Sequence, residues 1–530
     1  MHSGQTSPLK ASLEAPELAR CLERYLAEHP RAVVLDDGHV LFEMPASSYS
    51  LSTEHGRCVL QLWSEERNLI RTVLGIEERK NTLRILVRRL GSPRPQSLQL
   101  VPDRDQRTPT SRTVARSAYL RLLERVLIRS FNDYKLQNLR SAMDLENSFG
   151  PAYARGLLVR GQQSWAVIGT SAGETTATIG GVLTLGILWL AHCRQHGGGK
   201  TVCQGLKVFL PKGASDVTRA RMAWLNRNLG AWELYELCEA SEELTHIDTA
   251  GEGNLKMRLV QAFDPDAAIE RVRPGLDRLM HLLPEGLRNR VTLRAKSSNE
   301  VACTLHGLEF ARVRHGFAPH SFTRQDNITF GAGANETPLE AATEAWFVEL
   351  VERLFAHRHP AGNPRDPLFR LQPEGWLESV LRERLGEIEP GLRPSPIYSQ
   401  VPAFAAADRG MLDLLTVTQA GRLAVVELKA DEDLHLPLQG LDYWIRVRWL
   451  NEQRGVEGES PSELERSGYF PGTRLLKDAP LLFFVAPALR VHPSMEMVLA
   501  HFSPAIQWTL IALNEGWRSQ PKTVFRKRGP

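Results

Sequence analysis

Two carboxylates and an amine stand out as groups that could do chemistry together: Asp413, Glu427 and Lys429. The last two sit in "GRLAVVELKADEDLHLPLQGLDYW" (residues 421–444), where an apolar run ends on a charged Glu-Leu-Lys triplet. Burying charge at such a place costs several kcal/mol unless the groups are paired or hold a metal. Met411–Val417 and Leu423–Lys429 read as a hairpin around the Gly-containing loop "TQAGR". Pairing Val417 with Leu423 sets Leu415 against Val425 and Asp413 against Glu427. Strand side chains alternate faces, so Leu423, Val425, Glu427 and Lys429 share one face with Asp413. Opposed Cβ atoms lie roughly 5 Å apart. Carboxylates that close repel; a divalent cation relieves the repulsion and a lysine partly offsets it. The charges are tolerable if a metal sits between Asp413 and Glu427. The other reading is a satisfied ion cluster at a strand end. Lys429 is the one lysine between Lys296 and Lys477 in an arginine-rich stretch, and only an ammonium is a compact charge whose pKa can move.

The elements that must position these groups can be read on either side. "PLQGLDYW" opens a helix with Pro437 in its first turn, and Gln439 and Tyr443, four apart, share one helical face. Upstream, "PEGWLESVLRERL" is amphipathic through Leu377, Val380, Leu381 and Leu385, with Glu378 at the edge of the apolar stripe. Strands are expected at "IYSQVPAF" and "LLFFVAP". The order is helix, strand, strand, strand, helix, strand.

These residues resemble the PD-(D/E)xK, or restriction-endonuclease-like, nuclease superfamily, whose core has that αβββαβ order. Asp413 matches its first acidic residue, and Glu427-Leu428-Lys429 its ExK element. Gln439-x-x-x-Tyr443 matches the QxxxY helix of the RecB-type branch, and Glu378 the first-helix glutamate. Leu412 stands where the family's eponymous proline would be, and no histidine precedes Asp413 in the RecB-type arrangement. The resemblance covers about residues 365–490, under a third of the chain. It implies a Mg²⁺ (or Mn²⁺) ion held by Asp413, Glu427 and the Leu428 carbonyl, with Lys429, Gln439, Tyr443 and Glu378 completing the catalytic set. The implied activity is hydrolysis of phosphodiesters in nucleic acid, DNA favoured, in defence or repair. The alternative is a catalytically silent module of the same fold that binds nucleic acid or a protein.

The whole chain frames this reading. At 530 residues, 42% hydrophobic and 24% charged, it is expected to be a multidomain α/β protein. Residues 1–12 read as a disordered tail, 13–101 as a small α+β domain and 102–113 as a linker. A middle α/β domain spans 114–355 and a second linker 356–370; the nuclease-like domain spans 371–520, before a basic tail at 521–530. The middle region echoes the last: "SWAVIG", helix, "LKVFLP", helix, "AWELYEL" run in the order of "LAVVELK", helix, "LLFFVAP", helix, "IQWTLIAL". There Ile168-Gly169-Thr170 replaces the charged triplet, so the middle region reads either as a degenerate copy or as a coincidence of α/β patterns.

A net charge of +4 is compatible with nucleic acid without specifying it, and six cysteines with no CxxC pair suggest a reducing, cytoplasmic and, with so much arginine, bacterial setting. The apolar stretch "TATIGGVLTLGILWLA" is expected as a buried helix and not a membrane span. "HGGGKT" (196–201) lacks the spacing and element order of a phosphate-binding loop. His192, Cys193, His196 and Cys203 fit no regular zinc spacing.

Overall fold

The computed structural model describes residues 14–36, 39–53, 56–63, 68–79, 82–89, 95–102, 109–144, 148–196, 201–253, 257–317, 324–333, 337–405, 408–453 and 461–529. The chain is mixed α/β, and it divides into two compact units: residues 1–108 with 263–380, and 109–262 with 381–530. The expected middle region, 114–355, is thus shared between the two.

The first unit holds two antiparallel sheets. One has seven strands drawn from Val33–Val101, with the amphipathic helix Ala15–Glu28 laying Leu18, Leu22 and Leu26 on it. The other has five strands between Thr292 and Pro338, with its core closed by Leu276, Leu279, Phe347 and Leu354 from helices Arg273–His281 and Glu344–His357. The expected linker at 356–370 is instead structural. Arg358 is fully buried and donates to the carbonyls of Leu305, His306, Leu368 and Leu371 at 2.5–3.0 Å. A guanidinium offers five fixed donors, so one side chain can satisfy several buried carbonyls at once.

The second unit contains one topology twice. In the first half, α1 (Pro109–Ser130) leads into β1 (Lys135–Arg140), β2 (Tyr153–Arg160) and β3 (Gln163–Thr170). Then come α2 (Thr176–His196), β4 (Val202–Pro211), α3 (Asp216–Met222), β5 (Ala231–Cys238) and β6 (Glu243–Ile247). In the second half, α4 (Pro373–Ile388), of which the residues from Leu381 onward belong to this unit, leads into β7 (Tyr398–Ala405), β8 (Asp408–Val417) and β9 (Leu423–Leu428). They are followed by α5 (Leu436–Glu452), β10 (Leu481–Pro487), α6 (Met495–Ala500), β11 (Trp508–Leu513) and β12 (Thr523–Arg528).

Both sheets run antiparallel through their first three strands, parallel across the two helical crossovers, and antiparallel again to the last strand. Parallel neighbours require a crossover, which is what α2 and α5 supply. The short strand Met257–Leu259 adds to the edge of β7. The expected basic tail is largely strand: β12 pairs with β11, Arg526 bonds Glu389 at 2.8 Å, and Lys527 pairs with Glu496.

One apolar core runs through both halves, with Leu183, Ile187 and Leu190 of α2 in it beside Leu438, Leu441 and Trp444 of α5. At 21 residues, α2 is long and apolar enough to cross a membrane by length and composition, and 61% of its apolar window is buried inside the protein. Of "HGGGKT", residues 197–200 lie outside the described residues.

The halves meet reciprocally. Helix α5 packs on α3 while α2 packs on α6. Between them Leu225 and Phe502 form an antiparallel bridge, with Asn226 N–H donating to His501 O and Ser503 N–H to Trp224 O, both at 2.8 Å. Contacts exchanged in that way mark an isologous, approximately two-fold arrangement.

Candidate functional site

Strand β9 reads as a continuous apolar run because it is central and covered on both faces; all six of its residues are buried. The β8–β9 pairing runs Val417↔Leu423, Leu415↔Val425 and Leu414↔Val426. One step further along the same register, Asp413 faces Glu427. The acidic pair is joined at the strand end, where the Leu428 N–H donates to Asp413 Oδ2 at 3.1 Å. A strand residue's N–H and C=O point to the same edge, so the Leu428 carbonyl also looks toward Asp413.

On the third strand, β7, the register Ser399↔Leu414 and Val401↔Leu412 leaves Gln400 across from Asp413. Gln400 Nε2 donates to Asp413 Oδ1 at 3.2 Å, and its backbone sits at φ 51°. That left-handed conformation costs a non-glycine residue on the order of 1 kcal/mol. It is held here at the residue that touches the candidate carboxylate.

Glu427 is 1% exposed and Lys429 7%, while Asp413 and Gln439 are half-buried and form the accessible side of the group. Lys429 follows the strand, held by its N–H to Val485 O at 3.1 Å, and its ammonium lies 3.7 Å from Asp433. Helix α5 closes over the face that carries Glu427. A Cβ at Gly440 would overlap the Phe484 ring, so glycine there lets the helix approach the sheet.

That approach brings Tyr443 to the acidic pair. Burial pushes its phenol well above the usual tyrosine range; the Glu427 and Asp413 carboxylates push the same way, while a hydrogen bond with Gln439 and the Arg446 cation oppose them. The hydroxyl therefore stays protonated. Arg446 is buried with its guanidinium 5.6 Å from the Tyr443 ring centroid.

Asp413, Glu427, Lys429, Gln439 and Tyr443 are thus gathered at one strand end and the helix above it. Glu378 is placed in the first unit, nearly buried and bonded to Arg294 at 2.8 Å. Gln400 and Arg446 are additions that the sequence reading lacked. Arg446 follows Tyr443 by three positions on the same helical face, a signal the QxxxY spacing could have extended. Nothing local points to Gln400, which reaches the site through sheet pairing alone.

The donor set here is all oxygen: two carboxylates and one backbone carbonyl, without histidine or thiolate. Such a set suits a hard divalent cation such as Mg²⁺ or Mn²⁺, which takes one or two carboxylates and keeps several waters. Among the described residues no group of three or more His, Cys, Asp or Glu side chains is placed to hold a metal ion by itself.

The first half offers a built-in comparison. Counting three residues back from Pro211 and Pro487, which pair with Leu237 and Leu513, aligns Val208 with Phe484. Their partners Ile168 and Glu427 then correspond, as do Thr170 and Lys429. Ile168 pairs with Arg155, which accordingly stands where Asp413 does. Both Ile168 and Arg155 are 0% exposed, and Arg155 stacks on Phe149 and bonds the Ala142 carbonyl. The acidic pair exists in the second half only.

No protein-family model and no curated protein matches this sequence.

Proposed function

We propose that the second unit is a Mg²⁺- or Mn²⁺-dependent phosphodiesterase of the PD-(D/E)xK type, acting on nucleic acid and on DNA in preference. What carries this reading is the meeting of Asp413 with the Glu427-Leu428-Lys429 strand end, fixed by the Leu428–Asp413 hydrogen bond. The αβββαβ order of α4 to β10 and the Gln439/Tyr443 helix support it. A bound divalent ion would supply charge neutralisation at the scissile phosphate and a more acidic water. Asp413, Glu427 and the Leu428 carbonyl would hold that ion. Lys429 would hold a positive charge beside the phosphate as negative charge develops on its oxygens. Tyr443, kept neutral, would donate a hydrogen bond, and Gln439 would orient it.

The test is cleavage of end-labelled DNA by the full-length protein in Mg²⁺ or Mn²⁺. Cleavage that needs the ion and is lost in Asp413→Asn and Lys429→Met supports the reading. Cleavage unaffected by both substitutions would rule this site out. Absence of cleavage with intact DNA binding would favour the silent-module alternative.

A further inference from the structure

Resting on the hydrolytic reading above, we infer that the second unit is an asymmetric pair, one armed half fused to one unarmed half, that breaks a single strand of duplex nucleic acid per encounter. The two halves share strand order and crossovers, and they exchange reciprocal contacts: α5 on α3, α2 on α6, and the Leu225–Phe502 bridge. An arrangement of this kind with two equal centres would address two phosphodiesters, as the two-fold-related backbones of a duplex present them.

Here the equality is broken at the chemical positions. Ile168, Thr170 and Arg155 occupy the places of Glu427, Lys429 and Asp413 by register. An isoleucine side chain has no donor atom, and a cation in the place of Asp413 repels a metal ion. Burial seals the difference, because Ile168 belongs to the apolar core and Arg155 is engaged with Phe149 and the Ala142 carbonyl. The unarmed half is nonetheless retained as structure, for its α3 and the turn after it grip α5 through Arg221–Asp442 and Trp224–Trp444. One centre adds one water across one P–O bond: the departing oxygen leaves as a hydroxyl after protonation, and a phosphate monoester remains on the other side of the break. The opposite strand is left whole.

Supercoiled plasmid, incubated with full-length protein and Mg²⁺ or Mn²⁺ over a range of protein-to-plasmid ratios, distinguishes the outcomes. The expected course is conversion to open circles, with linear DNA appearing only late, at the rate independent nicks on opposite strands would produce, and Asp413→Asn abolishing both. Linear plasmid formed from the first time points would overturn the inference and leave the hydrolytic reading standing. Cleavage of labelled single strands with plasmid untouched would also overturn it, since the duplex is then not the substrate. No cleavage of either would remove both readings together.

Discussion

Arg221, on α3 of the first half, grips Asp442 on α5 of the second half with two parallel hydrogen bonds, Nε to Oδ1 at 2.9 Å and Nη2 to Oδ2 at 2.7 Å. Its third nitrogen donates to the Gly180 carbonyl of α2 at 2.7 Å, so one guanidinium ties three helices. Asp442 is the residue before Tyr443, on the side of α5 turned away from Glu427. His435 at the N-cap, bonded to Thr184, and Arg448 further along, paired with Glu252, add two more ties between the helix and the first half. Truncating one partner of a largely buried pair leaves the other charge stranded and costs about 3 kcal/mol. Asp442→Ala should therefore lower the denaturant midpoint and slow cleavage, while the exchanged pair Arg221→Asp with Asp442→Arg should recover part of both. A double variant no better than the sum of the two single ones would show that the pair does not position α5.

Gly440 is expected to be intolerant of any side chain. Gly440→Val must push α5 off Phe484, and overpacking of a filled core costs about 1–3 kcal/mol. Tyr443 and Gln439 move with the helix, so cleavage should fall further than the loss of folded protein explains. Activity that tracks the folded fraction alone, measured by circular dichroism beside cleavage rate, would contradict this.

Gln400 tests whether the strained backbone serves the site. Gln400→Gly relieves the left-handed conformation but removes the amide held to Asp413. Stability should stay level or rise slightly, whereas the affinity for Mn²⁺ should change because Asp413 loses an orienting partner. An unchanged metal titration would show that Gln400 is irrelevant to the carboxylate.

In the first unit, His306 gives a pH dependence with a definite sign. Burial, reinforced by the Arg358 charge, lowers its pKa from 6.5 to about 4. Between those values the unfolded chain binds a proton that the folded chain does not. Stability from this group is complete above pH 6.5 and is lost as the pH falls toward about 4. His306 stands at φ 46° in the tight turn before Gly307, a conformation asparagine also accepts, so His306→Asn should flatten this slope without breaking the turn. Urea midpoints at several pH values between 4 and 7 would check it; parallel slopes for both proteins would refute the assignment.

The second unit was legible where local pattern and local pairing coincide. The hairpin register around "TQAGR" follows from loop length and alternation, with Val417 on Leu423 and Leu415 on Val425 as expected. Strands Tyr398–Ala405 and Leu481–Pro487 also fall where their apolar runs end. What local pattern could not tell was how distant segments are shared out. The boundary at 262/263 falls in the short connection between the strand Met257–Leu259 and the helix Pro265–Arg271, and only packing partners remote in sequence assign the two to different units. The stretch 357–367 reads as a polar linker by its His, Pro and Gly, yet Arg358 is spent on backbone carbonyls that no sequence pattern announces. "FRKRGP" reads as a solvated tail for the same reason: its partners Glu389 and Glu496 are remote in sequence. Glu378 lies at the edge of an apolar stripe either way, and its bond to Arg294 is a long-range fact.

The proposed function requires Asp413 and Glu427 to share a hard divalent cation. Calorimetric titration of Mn²⁺ into the full-length protein tests it without reference to any substrate. One site per chain is predicted, absent in Asp413→Asn and in Glu427→Gln and retained in Lys429→Met. No binding by the wild-type chain, or binding that survives both carboxylate substitutions, would contradict it.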